Sequence, residues 1–180
     1  MKYRFFFALP VIALLFSCGG NQKEVDKKIN NPEQYSENLE GANKYYNQNE
    51  DDQIEDFILR QGWEMTKTGS GLRCMIYKNG NGIPVADKKI VRYHYKVNLL
   101  NGRLCYDTSK EGPKEIWIGH SDVVSGVEEG LMMLREGDKA KFIIPSYLAY
   151  GWIGDSKEIP TRAVLIYDVE VVQVRNYNAQ

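Results

Sequence analysis

The chain is poor in the residues that carry redox, metal and nucleophilic chemistry. It holds three cysteines and two histidines among 180 residues. His94 and His120 stand apart, with no cysteine or carboxylate at ligand spacing, so neither a metal site nor a cofactor is expected. Charge of one sign is also lacking: the formal net charge is −1. No basic field therefore points to nucleic acid, and no polybasic patch points to anionic lipid. No apolar run reaches the about 20 residues that a membrane-crossing helix needs, and no internal repeat is visible.

The N-terminus carries an address. Met1–Arg4 is cationic, and Phe5–Phe16 is apolar apart from the breaker Pro10. That length suits a secretory signal. Leu15-Phe16-Ser17-Cys18-Gly19 resembles a bacterial lipobox, which implies cleavage before Cys18 and acylation of that residue. Several acyl chains together anchor stably in a membrane. The expected organisation is a signal peptide over 1–17, a lipidated flexible tether over 18–49 and a folded domain over 50–176. The implied location is the cell envelope, on the periplasmic or surface face of the outer membrane. Gly19 to Asn49 is rich in Asn, Gln, Glu and Lys, too polar to offset the entropy of ordering by burial. Export permits a disulfide, but Cys74 and Cys105 sit in apolar strand contexts and are expected as two buried thiols.

The periodicity changes along the domain. Asn49 is a candidate helix cap, followed by three acidic residues in the first turn and the stripe Ile54, Phe57, Ile58. Gly62 ends that helix. So short a helix must pack on something: the following sheet, as a lid, or a second copy through weak self-association of 50–61. Leu72, Cys74 and Ile76 then alternate with Arg73, Met75 and Tyr77, and Val91, Tyr93, Tyr95, Val97 and Leu99 alternate with polar neighbours. Asn101-Gly102 predicts a two-residue hairpin turn returning through Arg103–Asp107. Ser125 and Glu128 predict a capping box for a helix burying Val127, Leu131 and Leu134. Strands over 140–144 and 163–174 complete an α+β domain: an antiparallel sheet of about five strands on one short helix.

The stretch Ser125-Gly126-Val127-Glu128-Glu129-Gly130-Leu131, with Ala149-Tyr150-Gly151 and Ile159-Pro160, resembles the FKBP-type peptidyl-prolyl isomerases. The resemblance runs from about Gly71 to Val174. It implies a twisted sheet wrapped around one helix, with a substrate proline held between them on aromatic rings. In that reading Tyr95, Tyr106, Val123, Val124, Val127 and Tyr167 form the proline pocket. The backbone N–H of Ile159 and the hydroxyl of Tyr150 serve as polar handles, and Asp107 orients Tyr95 by hydrogen bonding. The implied partners are proline-containing exported polypeptides. The implied setting resembles the lipoprotein isomerases associated with bacterial gliding motility. Several positions depart from the family's pattern. Val127 stands where tryptophan is usual, which implies a wider floor, and Lys114 stands where an aromatic wall is usual. The loop from Asp107 to Pro113 is short and lacks the usual arginine, and Arg103-Leu104-Cys105 is about one residue long. Asp155 and Glu158 imply a preference for basic or polar residues beside the proline. Two further readings share the fold: a non-enzymatic chaperone or assembly module, and a small-ligand-binding lipoprotein.

Overall fold

The computed structural model describes residues 32–177; the signal segment and Cys18 lie outside the described residues. Contacts divide the chain into Met1–Gly41 and Ala42–Gln180. Of the first unit, the described part is the opening of helix α1 (Pro32–Gln61), exposed from Ser36 to Gly41.

Helix α1 begins seventeen residues before the expected cap (49 − 32 = 17), so Asn49 is interior and part of the expected tether is helical. This stretch is as polar as its composition implies, and Ser36–Asn49 is exposed throughout. A helix needs no burial along its whole length, however. Once the Glu50–Gln61 end is nucleated by packing, extension costs little through Glu, Gln, Lys and Ala. Gly62 closes the helix with paired bonds, Trp63 N–H to Ile58 O and Gly62 N–H to Leu59 O, both 3.2 Å.

The sheet holds seven strands: β1 (Thr66–Lys67), β2 (Arg73–Lys78), β3 (Lys89–Leu99), β4 (Leu104–Asp107), β5 (Lys114–Trp117), β6 (Lys139–Ile144) and β7 (Leu165–Asn176). All pairings are antiparallel, in the order β1-β2-β6-β7-β3-β4, with β5 also on β3. The strands beyond the expected five are β1 and β5. Both are short and charged, and only Ile116 of β5 is buried, so neither shows clean alternation. Strand β3 pairs with β7 along its whole length, while β5 and β4 share its opposite edge.

Strands β6 and β7 are buried on both faces. Phe142, Ile144, Leu165, Tyr167 and Val169 face the main core with Val127 and Leu131. Ile143, Val164 and Ile166 pack instead against Ile54 and Phe57 of α1. Two-sided burial is why Phe142-Ile143-Ile144 and Leu165-Ile166-Tyr167 read as continuous apolar runs. The stripe of α1 is thus buried against this chain's own sheet and is not left for a second copy. The same face buries Arg73, 1% exposed, which pairs with Asp51 at 2.9 Å and Glu55 at 2.7 Å.

Two local expectations are corrected. The hairpin after β3 is a three-residue loop: Gly102 N–H and Leu99 O are 2.9 Å apart, Leu99 N–H donates to Arg103 O, and only Gly102 has positive φ, at 85°. Asn101 stays in the ordinary region, so the turn takes the bulged form rather than the primed one. Helix α2 (Ser125–Met132) has Val124 at its N-cap without a side-chain cap bond. Ser125 donates instead to Leu148 O, and Glu128 accepts from Gly119 N–H and the Ser121 hydroxyl. The capping box therefore does not form, and Glu128 ties the preceding loop to the helix.

Candidate active site

Helix α2 lies very close to the sheet because its packing face carries glycines. A Cβ on Gly130 would sit 2.7 Å from the Phe142 ring, and one on Gly126 would collide with Ile144. This approach sets Val127 and the preceding Val123-Val124 against the concave side of β3 and β7. From those strands rise Tyr93, Tyr95 and Tyr167, with ring centroids 5.7 Å apart in both the Tyr93–Tyr95 and Tyr95–Tyr167 pairs. Tyr106 comes from β4, and Tyr150 from the loop after a 3-10 turn at Ser146–Leu148. These side chains line one hollow of about 310 Å³.

Of the residues singled out in the sequence, Tyr95, Tyr106, Val123, Val124, Val127, Tyr150 and Tyr167 share this hollow. Asp107 does not. It lines a second hollow with His94, Lys96 and Thr108, to which Tyr95 also contributes. Its carboxylate pairs with Lys96 at 3.4 Å and accepts the Ser109 N–H at 2.7 Å. The expected hydrogen bond to Tyr95 is therefore replaced by one from Thr108, whose buried hydroxyl accepts the Tyr95 N–H at 2.9 Å. Ile159 is 3% exposed and belongs to the core beneath the hollow. Its N–H, expected as a handle, donates to Asp155 Oδ1 at 2.8 Å.

The electrostatics centre on Asp155. Burial raises its pKa, but the Tyr106 hydroxyl and the N–H groups of Ile159 and Lys157 outweigh that and hold it below the ordinary carboxylate value. The same bond, followed by burial, pushes Tyr106 up to about 12. Burial raises Tyr150, with Asp155 adding to the shift, and raises Tyr95, with Glu111 adding. Tyr167 is raised well above its ordinary value, again by burial first. Every ring in the hollow thus keeps its proton at neutral pH. Tyrosine rings and valines line the hollow together with Lys114, Asp122, Asp155 and Lys157, so it offers room for a small apolar group and polar edges for one carbonyl.

Residues 82–172 match the family model described as "FKBP-type peptidyl-prolyl cis-trans isomerase". The chain belongs to this family. It is 38% identical over 113 residues to the FKBP-type peptidyl-prolyl cis-trans isomerase FkpA of Buchnera aphidicola subsp. Schizaphis graminum, covering 62% of this chain and 44% of that one. It is also 38% identical over 94 residues to human peptidyl-prolyl cis-trans isomerase FKBP10, covering 51% and 16% respectively. Among solved structures, AtFKBP13 superposes with a TM-score of 0.59 at 26% identity, covering 63% of this chain and all of that one. The chain spans less than half the length of these curated relatives.

Against the FKBP pattern, two charged rim residues went unremarked in the sequence: Asp122, beside Lys114, and Lys157, beside Asp155. Lys114 and Asp122 lie 3.9 Å apart. Their charge alone gave no signal, because isolated surface charges are ordinary. Tyr93 also lines the hollow, although alternation assigns it to the sheet core equally well. The two cysteines among the described residues are free: Cys74 is buried as expected, whereas Cys105 is only partly so, near the Glu158 carbonyl at 3.7 Å.

Proposed function

We propose that this chain catalyses rotation about X–Pro bonds in exported polypeptides while anchored to the cell envelope through lipid on Cys18. Rotation about the bond meets a barrier of about 18–20 kcal/mol and takes tens of seconds or more unaided. A rate of about 10³ per second needs a barrier near about 13 kcal/mol, so about 5–7 kcal/mol must be removed. No covalent bond breaks and no proton need move. Amide resonance resists the twist, and water stabilises its charge separation. A hollow of tyrosine faces and valines withdraws that water, and a fixed donor holds the carbonyl as it turns.

The observation that carries this reading is the convergence of Tyr95, Tyr106, Val127, Tyr150 and Tyr167, from separate stretches of chain, on one hollow beside a helix. Asp155 already accepts the Ile159 N–H, so the Tyr150 hydroxyl is the handle for the carbonyl. Asp155, Asp122, Lys114 and Lys157 bring both charge signs to the rim, which favours polar residues beside the proline.

The test is a proline-limited refolding assay on the full chain. The wild type should accelerate the slow phase, and the single variants Tyr95→Ala and Tyr167→Ala should each lose about tenfold or more of that effect. Equal acceleration by all three proteins would remove the site assignment. Occupation of the Ile159 N–H by Asp155 favours one second reading, a module that binds unfolded segments without turning them. Suppressed aggregation of a client without faster refolding would select it. Cys18→Ser should abolish labelling by a fatty-acid analogue, and retained label would defeat the anchor.

A further inference from the structure

Helix α1 touches the site's loop at two points. Glu50 is 5% exposed, and its carboxylate accepts the Ser146 N–H at 2.9 Å and the Ser146 hydroxyl at 2.6 Å. It also pairs with Arg162 at 3.3 Å. One turn earlier, Tyr46 lies under the Arg162 guanidinium at 3.9 Å, with Trp152 on the same cation at 4.7 Å. Tyr46 and Trp152 meet edge to face at 5.4 Å. Ser146, Trp152 and Arg162 belong to the segment that carries Tyr150 and Ile159.

The segment's own backbone bonds include Gly154 N–H to Tyr150 O at 3.2 Å and Asp155 N–H to Ile159 O at 3.1 Å, and two more close the turn around Gly151. Gly151 N–H donates to Ser146 O at 2.8 Å, and Arg162 N–H donates to Gly151 O at 2.7 Å. Arg162 holds φ at 53°, a region uncommon for a residue other than glycine. Its side chain meets the Glu50 carboxylate and the Tyr46 and Trp152 rings. A buried carboxylate with several donors is a rigid node, because each lost bond leaves a desolvated polar group.

We infer that Tyr46 and Glu50 are positioning residues: α1 clamps the 146–162 segment through Ser146 and Arg162 and so sets Tyr150 over the hollow. The inference rests on the isomerase reading for its effect on rate, but the clamp itself can be read without activity. Neither residue lines the hollow. Tyr46 is 37% exposed, so its removal opens no core cavity.

The experiment compares Tyr46→Ala, Tyr46→Phe and Glu50→Gln with the wild type, all as full chains. Hydrogen exchange at the Gly151 and Arg162 amides should speed up about tenfold in Tyr46→Ala and Glu50→Gln. Exchange in the centre of β3 and β7 should stay unchanged. With a short X-Pro peptide, kcat should fall about five- to tenfold while KM moves less than about twofold, since a misplaced group costs most in the transition state. Tyr46→Phe keeps the ring and should restore both readouts. Unchanged exchange at Gly151 and Arg162 overturns the clamp, as does faster exchange spread evenly over the sheet. Loosened amides with unaltered kcat overturn the positioning role. A wild-type chain without isomerase activity counts against the isomerase reading, and the exchange measurement still decides the clamp.

Discussion

Tyr106 donates its phenolic hydroxyl to Asp155 across the mouth of the hollow, joining strand β4 to the loop that carries Ile159. The same carboxylate takes the N–H groups of Ile159 and Lys157 at 2.8 and 2.9 Å. One acidic side chain therefore organises both a pocket wall and the backbone beside it.

Replacing Asp155 with Asn keeps the size and removes the charge. The Tyr106 pKa should then drop from about 12 toward its ordinary 10.0, because the anion that stabilised the protonated phenol is gone. Titration of Tyr106 followed by NMR checks this, and an unmoved value would show that burial alone sets it.

The pH profile follows from the same pair. The folded pKa of Asp155 is lowered from 3.8, so its stabilisation is complete above that value and is lost as pH falls through the folded pKa. Tyr106 is raised, so its contribution is full below 10.0 and is lost as pH rises through about 12. With no other shift of the hollow's tyrosines toward neutrality, the isomerisation rate should be flat from about pH 5 to about 9. A steep change inside that window, in peptide assays at fixed salt, would implicate a group outside this pair.

Gly130→Ala should push α2 away from Phe142. Overpacking of this kind costs about 1–3 kcal/mol, readable as a lower urea midpoint. The activity should fall as well, because Val124 and Val127 move with the helix.

Arg73→Ala should destabilise the fold from outside the hollow. It removes the bonds to Glu55 and to the Gly71 carbonyl, while Asp51 keeps Lys67 at 2.7 Å, so the loss should be about 1–3 kcal/mol. The half-exposed partners, Asp51 and Glu55 at 33% and 56%, place the effect at the lower end. Thermal unfolding in parallel with Glu55→Ala separates the buried charge from its exposed partner.

Much of the hollow was legible because its residues sit at alternating strand positions or inside a compact helical stretch. Tyr95 follows from period two and Val127 from the apolar face of α2, whereas Tyr167 sits in a continuous apolar run and was placed only by the family resemblance. The roles of Asp107 and Ile159 were not legible. A one-dimensional pattern cannot say which neighbour takes a hydrogen bond, and here Lys96 and Asp155 compete successfully for those two groups. The capping box failed for the same reason: Glu128 found Gly119 and Ser121 nearer than its own helix end. The early start of α1 was hidden because an exposed polar helix and a polar coil share a composition.

By itself, the order of apolar and polar residues determined that strands would share an aromatic inner face and that one short helix would lie across it. Local periodicity is set by which side chains must leave water, and that information is in the chain. Only the folded state decided that Glu50, far along the sequence, would hold the base of the Tyr150 loop, and that Asp155 would bind Tyr106 and Ile159 together. Those bonds join residues that meet only after the core has closed, and a carboxylate takes whichever donors burial leaves beside it.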